Sequence, residues 1–217
     1  MFTKDVLKSG NSIADFYVKK YDYPYDILSN IETIIMEIGN GLGSDFKKVG
    51  DDVWIHKSAV VSDSAEIHGP CIIDEGAVLR HNSFIRGLVI VGKNVVVGNS
   101  CEIKNSILYD ECHVPHFNYV GDSIVGYRTN LGAGVVLSNV RYDKSNIIIK
   151  YNGVSYDTGL YKFGSIIGDD VFIGCNSVLN PGTIVFSNSF IYPLVNVSGV
   201  ILENKIVKSF DDIVEKK

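Results

Sequence analysis

From Ile55 onward an aliphatic side chain returns every six residues, at Val61, Ile67, Ile73, Leu79, Ile85, Val91, Val97 and Ile103. The beat comes back at Val125, Leu131 and Leu137, and again from Ile167 to Val197. A strict period of six fits neither the 3.6-residue helix nor the plain alternation of a strand. It fits a hexapeptide repeat, in which each unit is one short strand and a turn, and three units make one coil of a parallel β-helix. The residue two before the aliphatic is usually small or β-branched, as at Ala59, Ala65, Ala77 and Ser83, and the residue after it is often glycine, as at Gly92, Gly98 and Gly132. Glycine suits a tight turn. The pattern predicts a mainly β protein, a left-handed parallel β-helix of about seven coils over residues 51–200.

The departures from the repeat are as informative as the repeat. Residues 1–50 lack it; "PYDILSNIETIIMEIGNG" instead sets Ile27, Leu28, Ile31, Ile34, Ile35 and Ile38 on a helical stripe, with Pro24 near its start and Gly39 at its end. A helical N-terminal arm that caps the end of the β-helix is expected there, and a short closing tail over 201–217. Two steps, Ile103 to Leu108 and Val120 to Val125, are five residues instead of six, and they bracket the coil containing "CHVPHFNYVGDS". The beat then lapses over 138–164, a polar, Tyr-rich stretch expected to leave the coil as a loop or flap.

A net charge of −5 argues against a nucleic-acid or anionic-membrane surface, both of which need a basic patch. No apolar run is long enough to span a bilayer, and "MFTKDVLKSGNS" has no apolar signal core, so a cytoplasmic protein is expected. Cys71, Cys101 and Cys112 occupy the small position two before an aliphatic, and Cys175 follows Ile173-Gly174; none forms a CxxC pair, which favours packing over redox or metal chemistry.

Counting coils puts Leu79, Val114 and Leu131 on one face, with Arg80, His116 and Asn130 beside them. Ile103, Val120 and Leu137 fall on the adjacent face, with Lys104, Tyr119 and Asn139 beside them. Two cations, one imidazole and three hydrogen-bonding groups can hold a phosphorylated polyol and deprotonate an amine: Arg and Lys bind phosphate oxygens, and neutral His accepts a proton near pH 7. Outward-facing turn residues of a polar solenoid are the alternative reading of each side chain taken alone.

In order and spacing, "CEIKNSIL", "VPHFNYVGDSIVG", "TNLGAG" and "SNVRYD" resemble the acetyltransferase domain of bacterial bifunctional N-acetylglucosamine-1-phosphate uridyltransferase/glucosamine-1-phosphate acetyltransferase. They are more similar still to related sugar-1-phosphate nucleotidylyltransferases with a C-terminal β-helix. The likeness runs over roughly residues 50 to 200 and includes the five-residue steps. It implies direct acetyl transfer from acetyl-CoA to an amino-sugar 1-phosphate, in a homotrimer whose sites lie between protomers, within nucleotide-sugar biosynthesis. Glucosamine-1-phosphate is the first candidate acceptor and galactosamine-1-phosphate the second. In that resemblance His116 is the general base, Arg80 and Lys104 hold the sugar phosphate, and Tyr119, Asn130 and Asn139 bind and orient the sugar. Lys144 corresponds to a loop lysine, and Ala133 and Cys175 fall at acetyl-CoA contacts.

The chain also departs from the pattern. Val140 stands where the family has a tyrosine, with Tyr142 two residues on in a longer loop. "GNGLGS" at 39–44 is not the "GxGTR"-like phosphate loop of the nucleotidyltransferase half, and an N-terminal region of about 50 residues cannot hold that α/β domain. Two rival readings are a non-catalytic sugar-phosphate-binding β-helix and a zinc enzyme like the γ-class carbonic anhydrases, for which His81, His113 and His116 are available. The three-residue spacing of His113 and His116 is unlike that family's, so no metal is expected. Acetyl-CoA turnover with amino-sugar phosphates, beside metal analysis, separates the readings.

Overall fold

The computed structural model describes residues 2–216. From Val53 on, the chain winds into a triangular prism whose three faces are built from short parallel strands. The first face begins with Val53–His56, Cys71–Ile73 and Val89–Val91 and ends with Ser165–Ile167, Thr183–Val185 and Val200–Ile201. The second runs from Val60–Val61 through Val96–Asn99, His113–His116 and Asn130–Leu131 to Lys205–Val207. The third runs from Glu66–Ile67 and Phe84–Ile85 through Val136–Leu137 and Val178–Leu179 to Asn196–Val197. This is the left-handed parallel β-helix that the repeat predicts. Ile55 pairs with Ile73 and Ile73 with Val91, eighteen residues on each time, so three hexapeptides close one coil.

The interior follows from strand geometry. Side chains two apart on a strand face the same way, so each aliphatic and the small residue two before it both point inward. Leu79, Ile85, Val97, Ile103, Val114, Val120, Leu131 and Leu137 form one continuous buried core with Cys71, Ala77, Cys101 and Cys112. Small residues fill the narrow corners of the triangle. Burial pushes the Cys71 thiol up to about 12, so it is a packing group and not a nucleophile.

The five-residue steps have a structural cause. In both, the corner turn is one residue shorter, and the strands of the third and first faces merge into seven-residue strands, Glu102–Leu108 and Tyr119–Val125. Leu108 therefore pairs with Val91 and Val125 with Leu108 at seventeen residues. The corner is turned by Asn105 and Asp122, at φ 42° and 48°. Asn and Asp tolerate this left-handed backbone better than other non-glycine residues.

A second apolar stripe faces outward on the first face: Trp54, Ile72, Ile90, Ile107, Ile124, Ile166 and Ile184, all buried. The N-terminal arm covers it. Helix α1 (Thr3–Val6), helix α2 (Asp15–Val18) and helix α3 (Ile31–Gly41) bring Val6, Leu7, Val18, Ile31, Ile34 and Ile35 against the stripe. Each fully buried side chain of this size contributes about 1.5–3 kcal/mol. Contact is close: a Cβ on Gly39 would lie 2.6 Å from the Trp54 ring. The arm thus lies along the flank of the prism, not over its end as the sequence suggested. Ile55, Val61 and Ile67 of the first coil accordingly stay only partly buried.

The stretch over 138–164 likewise folds down. Asn139 accepts the Phe163 N–H at 2.9 Å and Val140 bridges Lys162, which pinches the insertion into a neck. Beyond it an antiparallel hairpin, Ile148–Tyr151 with Val154–Asp157, turns at Asn152-Gly153, both at positive φ. Ile147, Ile149 and Phe163 are buried in the same cluster as the arm. The expected flap is therefore anchored at its base against the first face. Antiparallel strands, Phe46–Val49 at one end and Ile213–Glu215 at the other, pair with the outermost strands of the first and second faces, a device that blocks edge-to-edge association.

Candidate functional site

The coil between the two short turns presents its polar side chains at both edges of the third face. At the edge shared with the second face, Cα pairing sets His116 beside Asn99. The Gly134 N–H donates to the His116 carbonyl at 3.0 Å and the Asn176 N–H to the Ala133 carbonyl at 2.8 Å. His116, Ala133 and Cys175 therefore stack one above another on a single corner ladder. The turn is held from inside by Asn118, which is buried. Its Oδ1 accepts the His116 N–H at 3.0 Å, and its Nδ2 donates to the Gly132 carbonyl at 2.7 Å. Between them Phe117 is 61% exposed at φ 53°, a conformation that bulky residues rarely take. Backbone strain of this kind persists only where the surroundings fix it. The imidazole itself is exposed above a rigid base.

At the other edge a buried carboxylate organises the corner. Asp122 is 3% exposed and accepts from the Lys104 ammonium at 3.0 Å, the Asn105 amide at 2.8 Å and the Asn139 amide. Tyr119 reaches the same corner by bending over Gly121, where a Cβ would lie 2.5 Å from its hydroxyl. The Tyr-x-Gly-Asp spacing thus has a steric reason. Burial, then the Asp122 and Glu102 carboxylates, push the Tyr119 phenol up, so it stays a neutral hydrogen-bonding group. One coil below Lys104 on the same row stands Arg86, whose N–H donates to the Ile103 carbonyl at 2.9 Å.

The structure brings together Lys104, Tyr119 and Asn139, and separately His116, Ala133 and Cys175. Chain reach limits the His116–Asp122 separation to about 20 Å. Arg80 does not join Lys104: it is exposed at the His116 edge, beside Cys101. Asn130 lies outward on the second face, paired with His113 and Phe172 in a groove with Glu111 and Arg128. Lys144 sits exposed at φ 54° in a turn where Arg141 and Asp143 pair at 2.9 Å. Sequence reasoning missed Asp122, Asn105 and Arg86. The eighteen-residue interval from Arg86 to Lys104, one regular coil, was the available signal.

The histidines weighed for zinc are dispersed. His113 looks out from the second face, while His81 and His116 share a corner two coils apart, about 10 Å. Among the described residues no three His, Cys, Asp or Glu side chains converge as metal ligands. No helix of the described residues is long and apolar enough to cross a membrane.

Fold and corner motifs define a hexapeptide-repeat parallel β-helix. The chain belongs to the family of the GMPPB C-terminal domain, whose model matches residues 67–207. It is 33% identical over 178 residues to the bifunctional protein GlmU of Methanococcus maripaludis, covering 74% of this chain and 43% of that protein. To the bifunctional sugar-1-phosphate nucleotidylyltransferase/acetyltransferase of Sulfurisphaera tokodaii it is 30% identical over 151 residues, covering 61% and 38%. The chain thus spans less than half the length of these relatives, and the resemblance read from its motifs is borne out. Solved structures include the perosamine N-acetyltransferase of Caulobacter crescentus, at 17% identity and a TM-score of 0.36, covering 76% of this chain and 56% of that one. A second is a putative acetyltransferase of Bacillus cereus, at 18% identity and 0.44, covering 75% and 77%.

Proposed function

We propose that the protein transfers an acetyl group from acetyl-CoA to the amine of a sugar carrying an anomeric phosphate, glucosamine-1-phosphate being the simplest such acceptor. The observation that carries this is the division of labour across one face: an exposed imidazole in line with the small residues Ala133 and Cys175 at one edge, and at the other a corner where Lys104 and Arg86 are held by Asp122 and Glu102. His116 takes a proton from the neutral amine as the nitrogen lone pair attacks the thioester carbonyl, and its imidazolium holds that proton for the leaving thiolate. Collapse of the tetrahedral adduct expels the CoA thiolate, which is reprotonated as the amide forms. Arg86 and Lys104 hold the phosphate, and Tyr119 and Asn139 orient the sugar hydroxyls. Arg80, at the His116 edge, is left to meet the acyl donor or a neighbouring protomer. Each charge-assisted bond is worth roughly 1.5–3 kcal/mol. Removing the anomeric phosphate is therefore expected to lower kcat/KM by about 100-fold or more, more than altering one sugar hydroxyl. An acceptor panel assayed with and without the phosphate checks this, and equal rates would remove Arg86 and Lys104 from the reading.

A homotrimer completes the site. The first face is covered by the chain's own arm and hairpin. The second displays Val60 and Phe172, 62% and 51% exposed, with the Phe190 ring at 5.5 Å from Phe172. Packing the second face of one prism against the third of the next closes after three copies and brings the two edges of neighbouring chains together. Light scattering is expected to give three times the monomer mass at micromolar concentration; a stable monomer would count against shared sites.

A further inference from the structure

Above the corner of Lys104 and Arg86 runs a groove of about 640 Å³ lined by none of the residues proposed for acetyl transfer. One wall continues the row of Lys104 and Gly121 up the ridge to Ser138, Asn180 and Ser198. The other wall is the insertion, through Val140, Arg141, Tyr142, Ile148 and Lys150. Coils rise about 4.8 Å each, so the groove extends from roughly 10 to 19 Å beyond Lys104. Its start is contiguous with the site, because Asn139, which donates to Asp122, is the residue between Ser138 and Val140.

The lining has two chemistries. Tyr142 is fully exposed, and Ile148 and Val140 are 45% and 36% exposed, an unusual concentration of apolar surface for a solvated loop. Lys150 is exposed too, and Arg141 is braced by Asp143 at 2.9 Å and by the Ser145 hydroxyl at 3.0 Å. Flat apolar surface with cations at its margin suits a heteroaromatic base joined to phosphates. A groove of this volume is in the usual range of small-molecule sites.

We infer that this groove is a nucleoside-phosphate subsite, and that the acceptor is a nucleotide-linked amino sugar. Its sugar-side phosphate lies at Lys104 and Arg86, and its nucleoside lies between the ridge and Tyr142. The inference rests on the acetyl-transfer reading for the sugar, but the subsite can be tested without it. The adenosine phosphate of acetyl-CoA has the same chemistry, so the experiment must tell the two apart.

Calorimetric titration of the full chain with UDP and GDP, without acetyl-CoA, is expected to show saturable binding of at least one. Tyr142→Ala and Lys150→Ala are each expected to weaken it about tenfold, the size of one lost stacking or charge contact. In steady-state assays the same variants should lower the ratio of kcat/KM for a nucleotide-linked amino sugar over its bare 1-phosphate by about tenfold. Absence of binding by both nucleotides, or equal binding by variants and wild type, overturns the subsite. A rise in the KM for acetyl-CoA without a change in that ratio also overturns it, by giving the groove to the co-substrate. If nucleotides bind with the expected dependence while neither acceptor is acetylated, the subsite stands and the transfer reading falls.

Discussion

His116→Ala is expected to reduce turnover by about 10²–10⁴ while the KM for acetyl-CoA changes little, the signature of a lost general base rather than a lost binding contact. The structure makes this a clean experiment. The position is held by its backbone, through the Asn118 side chain and the Gly134 N–H, and the imidazole is exposed. Truncation at Cβ therefore removes a reactive group without opening a cavity in the prism. The matched control is His113, three residues earlier on the same strand but outward on the second face. His113→Ala is expected to retain most activity. Unchanged melting temperatures in both variants show that the coil is intact. Equal loss from both, or full activity of His116→Ala, would leave the ladder of His116, Ala133 and Cys175 without a proton acceptor and move the base elsewhere.

The prism was legible in the sequence because one rule repeats: an aliphatic every six residues, confined by a narrow interior. Ile103–Leu108 and Val120–Val125 were legible as irregular steps, but not what they do. That needed the backbone, where Asn105 and Asp122 turn the corner at positive φ and so aim their side chains at each other across one coil. The covering of the first face was also written in the sequence, as paired aliphatics such as Ile72-Ile73, Ile90-Val91, Ile124-Val125 and Ile166-Ile167. A count that keeps one inward residue per hexapeptide passes over the second, outward member of each pair, and so sends the arm to the end of the prism. The coil count kept Arg80 with His116; it was the resemblance that set Arg80 beside Lys104 as a phosphate ligand. A shift of one hexapeptide moves a residue to the other edge of a face, and only the register distinguishes Arg80 from Arg86.

Asp122→Ala is expected to destabilise the protein by about 3 kcal/mol, the lower part of the range for breaking a buried ion pair. The lower figure is appropriate because the Lys104 side chain keeps 17% of its exposure and water can reach the stranded ammonium. The loss has three parts. Lys104 is left without its counter-charge, the Asn105 and Asn139 amides lose their acceptor, and alanine must adopt the φ of 48° that aspartate tolerates. Asp122→Asn separates them. Asparagine accepts the left-handed backbone and keeps one acceptor oxygen, but it turns the other into an N–H donor facing donors, so the backbone part of the loss is recovered while the charge and one acceptor are still lost, and more than half of the loss is expected. Denaturant titrations at one fixed protein concentration check this, since assembly couples to stability. A double-mutant cycle with Lys104→Met isolates the pair, and a coupling of at least 1 kcal/mol is expected for partners in contact. The consequence for function follows from position. Asp122 anchors Lys104 and Asn139 on either side of the turn that carries Tyr119, so its loss frees at once the groups proposed to hold the phosphate and to orient the sugar. A large rise in the KM of the acceptor is expected, with the KM of acetyl-CoA little altered. If Asp122→Ala unfolds at the wild-type midpoint and binds acceptor normally, the corner is ordinary solvated surface and the phosphate must be held elsewhere.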